Sequence, residues 1–144
     1  MYRKNAWSKY AKNPNIVMDF AEGYKDFISK GKTERLATKE AIKILEVNGY
    51  KEASKVKSIK KGSKIYFINK NKNICAFLIG NKPITDGLRI LGAHIDSPRL
   101  DLKENPIYES KGFALGDTHY YGGVKKYQWT TIPLALHGVI CKKH

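Results

Sequence analysis

Nine consecutive residues, Leu88-Arg89-Ile90-Leu91-Gly92-Ala93-His94-Ile95-Asp96, set the tightest limit on what this chain can fold into. Side chains on a strand alternate between faces, and here both faces are mostly apolar until the last positions. A strand of that kind belongs at the centre of a sheet, with cover on each side. The fold around it must then be layered. Apart from Arg89 near its start, polar chemistry enters at the end of the run, as His94 and Asp96, where α/β proteins build their sites.

The segments before this run supply the layers. Asn13 is a good N-cap and Pro14 suits the first helical position. Ile16, Val17, Phe20, Tyr24, Phe27 and Ile28 then recur at helical spacing and share one face. Gly23 weakens that helix and Gly31 stops it. A second helix opens at Thr33, carries Leu36, Ala37, Ala41, Ile44 and Leu45 as its apolar stripe, and ends at Asn48-Gly49. The period then changes. Ile65-Tyr66-Phe67-Ile68 reads as a strand, Asn69 to Asn73 as a turn, and Ile74 to Ile79 as the returning strand of a hairpin. Asn81-Lys82-Pro83 and Thr85-Asp86-Gly87 punctuate the next loop. After the central run, Leu100–Lys103 and Phe113–Tyr121 are candidates for extended chain. The expected class is α/β, with two helices followed by a mixed β-sheet.

Composition excludes several alternatives. With 144 residues and 42% hydrophobic content, the chain can build one domain with one modest core. It is too apolar and aromatic for a disordered segment. No apolar run is long enough to span a bilayer, and Met1 to Trp7 lacks the apolar stretch of a secretory signal. A soluble cytoplasmic protein with no membrane partner is expected. The formal net charge of +14 raises nucleic acid as a partner. The charge is mostly lysine, however, with arginine only at Arg3, Arg35, Arg89 and Arg99. The densest cluster, Lys55 to Lys61, has no interleaved aromatics of the kind that stack on bases. A solvated lysine surface is the expected reading, and a basic nucleic-acid-binding module is the alternative. Cys75, inside an apolar run, is expected to be a buried thiol. It makes no C-x-x-C pair with Cys141, and neither receives a function.

His94 and Asp96 are two apart, so on a strand they point the same way. An imidazole can bind a metal through one ring nitrogen, and a carboxylate beside it can accept the proton of the other and fix the ring. H-x-D alone is a weak motif. Its surroundings are more specific. The block from Gly92 to Lys103 resembles aspartyl aminopeptidase and vacuolar aminopeptidase I, where H-x-D-S-P precedes a short strand ending in lysine. The likeness continues through Asn105-Pro106-Ile107-Tyr108-Glu109, Tyr121-Gly122-Gly123, Trp129 and Leu134 to Ile140. The chain resembles the N-terminal portion of such an enzyme, from the family's bacterial branch.

That resemblance implies a metal-dependent aminopeptidase acting on peptide substrates. It implies two zinc ions, His94 as a ligand of one, and Asp96 as the carboxylate that orients His94. In the family, bound zinc lowers the pKa of a bridging water and polarises the scissile carbonyl, while a glutamate serves as general base. Nothing in this sequence corresponds to the bridging carboxylate, that glutamate or the other ligands. His119, His137 and His144 do not match family ligands. His119 reads as structural or at the substrate edge, and His137 as packed near Leu134-Ala135-Leu136. Tyr121-Gly122-Gly123 is expected near the active-site rim, and Ser97-Pro98 to fix the strand exit. Thr131-Ile132-Pro133-Leu134 stands where many members carry an acidic run, so the resemblance leaves the preferred N-terminal residue open. The inserted dimerisation domain would begin at about residues 124–144, and the complete enzyme would be a homo-oligomer. One imidazole cannot make a zinc site that needs three or four protein ligands. The 144-residue chain by itself is therefore expected to be inactive and not to retain zinc.

Overall fold

The computed structural model describes residues 5–143. His144 lies outside them. The chain divides into two compact units, Met1–Ile95 and Asp96–His144.

The first unit begins with a 3-10 turn at Ala6–Lys9, then helix α1 (Asn15–Lys30) and helix α2 (Glu34–Val47). The start of α1 falls later than the sequence suggests. Pro14, itself helical at φ −66°, occupies the cap position, with no side-chain cap. Thr33 does cap α2, its hydroxyl accepting from the Leu36 amide at 3.3 Å. Gly31 sits between the helices for reasons of space. A Cβ there would lie 3.1 Å from the Phe27 carbonyl oxygen and 3.2 Å from the Ala37 Cα. α2 ends at Asn48, and Gly49 takes a left-handed φ of +83°.

Strands β1 (Lys51–Glu52), β2 (Lys64–Asn69) and β3 (Asn73–Leu78) follow. They form a mixed sheet in the order β1-β2-β3, with β1 parallel and β3 antiparallel to β2. The hairpin matches the sequence reading. Lys70 and Asn71 both have positive φ, 49° and 56°, as a type I′ turn requires.

The buried residues come from α2 and β2. Ala37 and Thr38 are buried on α2, and Ile65 and Tyr66 on β2. Ile65 and Tyr66 are consecutive, so they point to opposite faces of the sheet. The Tyr66 hydroxyl donates to Glu46 Oε1 on α2 at 2.8 Å and ties helix to strand. The apolar face of α1 is less covered than its pattern suggests. Val17 and Phe27 are half-buried, but Ile16, Phe20, Tyr24 and Ile28 are exposed. Cys75 is also exposed, contrary to expectation. It pairs with Phe67 on a sheet face that lies open there, where the rings of Phe67 and Phe77 meet edge to face at 5.8 Å. Many lysines are matched locally: Lys25 with Glu22, Lys30 with Asp26, Lys43 with Glu40, and Lys55 with Glu52. All four lysines are exposed, and such surface pairs contribute little to stability and keep the surface solvated.

The largest departure concerns the central run. Residues 88–98 form no strand, and no described strand pairs with them. Leu88, Ile90 and Leu91 are exposed, Leu91 fully at 100%. A strand exists through its ladder, and without neighbours an apolar run stays as bare chain.

The second unit is a long antiparallel hairpin of β4 (Arg99–Ser110) and β5 (Phe113–Tyr121), then one helical turn, α3 (Lys126–Trp129). The connection is again two residues with positive φ, Lys111 at 52° and Gly112 at 78°. Register shifts between Leu102 and Ile107. Pro106 lies in that interval and has no amide to give a ladder. The ion pair of Lys103 with Asp117, at 3.0 Å, lies beside the irregularity. Residues 132–143 adopt no regular element, and His137 is exposed there instead of packed against its apolar neighbours.

Two tests follow from this core. Thr38, 1% exposed, has a hydroxyl with no hydrogen-bond partner. An unsatisfied buried hydroxyl costs roughly 1–3 kcal/mol. Thr38→Val keeps the shape, so denaturant melts should show stabilisation on the order of 1 kcal/mol. For Tyr66, burial first and then the hydrogen bond to Glu46 push the phenol from 10.0 up to about 12. The folded state therefore holds its proton more tightly than the unfolded state. This stability is complete below about pH 10 and is lost as pH rises toward about 12. Tyr66→Phe should flatten that alkaline loss in thermal melts across the same range.

Candidate active site

The structure places the two residues of the H-x-D motif in different settings. His94 is exposed near the end of the first unit, in chain that forms no strand. Asp96 opens the second unit and is half-buried. The expectation that a buried strand carries both is corrected by the absence of pairing through residues 88–98.

Asp96 is held from β5. The Tyr121 hydroxyl donates to Asp96 Oδ2 at 2.7 Å. Tyr121 reaches it because Arg99 and Tyr121 are opposite each other at the end of the hairpin ladder. The Arg99 guanidinium lies over the Tyr121 ring, 4.2 Å from its centre. Arg99 Nε in turn donates to Asp101 Oδ1 at 2.8 Å. A cation over an aromatic face is attracted by the ring's quadrupole, so Arg99 steadies the ring that carries the hydroxyl.

Gly122 closes this arrangement. Its φ is +76°, and a Cβ would fall 3.3 Å from the Pro98 Cα. The chain leaving β5 thus passes close to the segment that follows Asp96, where only glycine suits both the space and the dihedral. The sequence pointed to Tyr121-Gly122-Gly123 by resemblance but gave no sign of the bond to Asp96. That bond depends on hairpin register, which the break near Pro106 hides from any alternation pattern. His119 stacks on Tyr120, with ring centres 5.6 Å apart, and Lys126 lies over the other ring, Tyr120, at 4.2 Å.

Among the described residues, no three His, Cys, Asp or Glu side chains gather as a metal ion would need. His94 has the right donor chemistry for zinc, as a neutral imidazole. A single imidazole supplies one of the three or four donors that a zinc site needs.

A model of the aminopeptidase I zinc metalloprotease family, M18, matches residues 27–144. The chain belongs to that family. A probable M18 family aminopeptidase 1 of Clostridium acetobutylicum is 52% identical over 145 residues, covering 97% of this chain and 31% of that protein. The crystal structure of aminopeptidase I from Clostridium acetobutylicum superposes with a TM-score of 0.78 at 49% identity, over 99% of this chain and 33% of its own. That of the M18 aminopeptidase from Thermotoga maritima gives a TM-score of 0.81 at 41% identity, over 92% and 29%. The chain spans about a third of the length of these relatives. Its helices and mixed sheet are the α/β class expected from the sequence. No helix among the described residues is long and apolar enough to cross a membrane.

Gly122→Ala should destabilise the hairpin end by about 1–2 kcal/mol, the usual cost of a left-handed backbone for an L-residue. Gly123→Ala, with open space at its Cβ position and no positive φ, should cost less. Thermal shift and limited proteolysis of the two variants would show the difference.

Proposed function

We propose that this chain is the N-terminal portion of the catalytic domain of a metal-dependent aminopeptidase, which releases single residues from peptide N-termini in the cytoplasm. Residues from about 124 would lead toward an inserted dimerisation domain, and the working enzyme would be a homo-oligomer. The observation that carries the reading is the family match over residues 27–144, which includes the whole H-x-D-S-P block.

Two zinc ions would serve the complete enzyme. When bound, zinc supplies an acidic water and a polarised carbonyl. His94 would give one ring nitrogen to zinc. Asp96 would accept the proton on the other ring nitrogen, fixing the tautomer and making the imidazole a better donor. The half-buried position of Asp96 suits that role, because partial exclusion of water strengthens a carboxylate–imidazole bond. The remaining ligands and the general base belong to other parts of the enzyme. Residues 1–144 alone would then neither retain zinc nor turn over peptide. The bare apolar run at Leu88–Ala93 is in keeping with this, since a central strand would find its neighbours in the rest of the protein.

The test uses the full-length protein. Asp96→Ala should lower zinc affinity or peptide turnover about 10–100-fold, the usual effect of losing a ligand's orienting partner. His94→Ala, which removes the donor itself, should lower both further. Zinc content and release of N-terminal residues would be measured together. Normal turnover in both variants would end this reading.

A further inference from the structure

We propose that Tyr121 is a positioning residue for the Asp96 carboxylate, and that Arg99 and Asp101 hold Tyr121 in place for that task. The inference rests on the reading of Asp96 as the group that orients His94.

The carboxyl torsion of an aspartate is soft, with a broad two-fold profile. A carboxylate that aims an imidazole must nevertheless hold one plane, because the direction of its acceptor oxygen sets the direction of the ring. Something must therefore pin it. The Tyr121 hydroxyl does so at 2.7 Å on Oδ2. A phenol donating to a carboxylate makes a short, charge-assisted bond, stronger than one between neutral groups. An ionised carboxylate accepts at about four lone-pair sites, so a bond from Tyr121 still leaves acceptor capacity for an imidazole N–H.

The support extends beyond one bond. Tyr121 stands across the ladder from Arg99, so hairpin register places its ring. The guanidinium at 4.2 Å covers a ring face, and Asp101 fixes the guanidinium at 2.8 Å. Gly122 packs against Pro98, so the backbone after Tyr121 and the backbone after Asp96 are close by construction. Each contact lies within the second unit. The chain Asp101–Arg99–Tyr121–Asp96 thus converts the rigidity of a β-hairpin into a fixed carboxylate orientation.

Tyr121→Phe in the full-length protein is the test. It removes only the hydroxyl. The ring, 41% exposed, keeps its place over Arg99, so the fold should survive. Zinc affinity would be measured by chelator-buffered titration, without reference to turnover. Tyr121→Phe should weaken zinc binding about tenfold, at the low end of the loss seen when an orienting partner is disturbed. Tyr120→Phe, which removes the neighbouring hydroxyl, should bind zinc as the unaltered protein does. In an Asp96→Ala background, Tyr121→Phe should have no further effect, since its target is gone. A purely structural role would instead give losses that add. Unchanged affinity in Tyr121→Phe, or additive losses in the double variant, would overturn the inference while leaving His94 and Asp96 in their roles. Unchanged affinity in both His94→Ala and Asp96→Ala would remove the underlying reading, and this one with it.

Discussion

Arg99 and Tyr121 face each other across an antiparallel ladder, and a slip of one residue in that ladder would turn Tyr121 to the opposite face. The bond to Asp96, the cation over the ring and the seat of Gly122 on Pro98 all depend on this register. Two features defend it. The tight turn at Lys111-Gly112 sets the pairing from one end, and the shift beside Pro106 absorbs the extra residues in β4. The geometry near Asp96 is thus decided at the far end of a hairpin.

The first unit relies on a different economy. Its buried side chains among the described residues are few, and the bond from Tyr66 to Glu46 links β2 to α2. Tyr66 serves twice there, as a large apolar body and as a donor to Glu46. Thr38 works against the same packing, because its hydroxyl is enclosed without a partner. The close approach of Gly31 to Ala37 lets α1 turn directly into α2.

Elements defined by local chemistry could be read from the chain. Thr33 announced α2, and Asn69 to Asn73 announced the hairpin, because caps and turns are set within a few residues. The H-x-D-S-P block signalled its family through a run of neighbours. Features that need a distant partner could not be read. Leu88–Asp96 has the composition of a central strand, yet a strand needs a partner and no described strand pairs with it. Cys75 lies in an apolar run, but burial also requires something to cover that face of the sheet. The donor to Asp96 comes from 25 positions away, and no short motif spans that interval.

The bare run at Leu88–Ala93 also bears on how such a protein is made. It leaves the ribosome after the hairpin of β2 and β3, as an apolar stretch with which no described strand pairs. Left bare, it resembles an exposed edge, the kind of template on which chains pair with one another. Exposed apolar surface of this kind makes incompletely folded chains prone to aggregate.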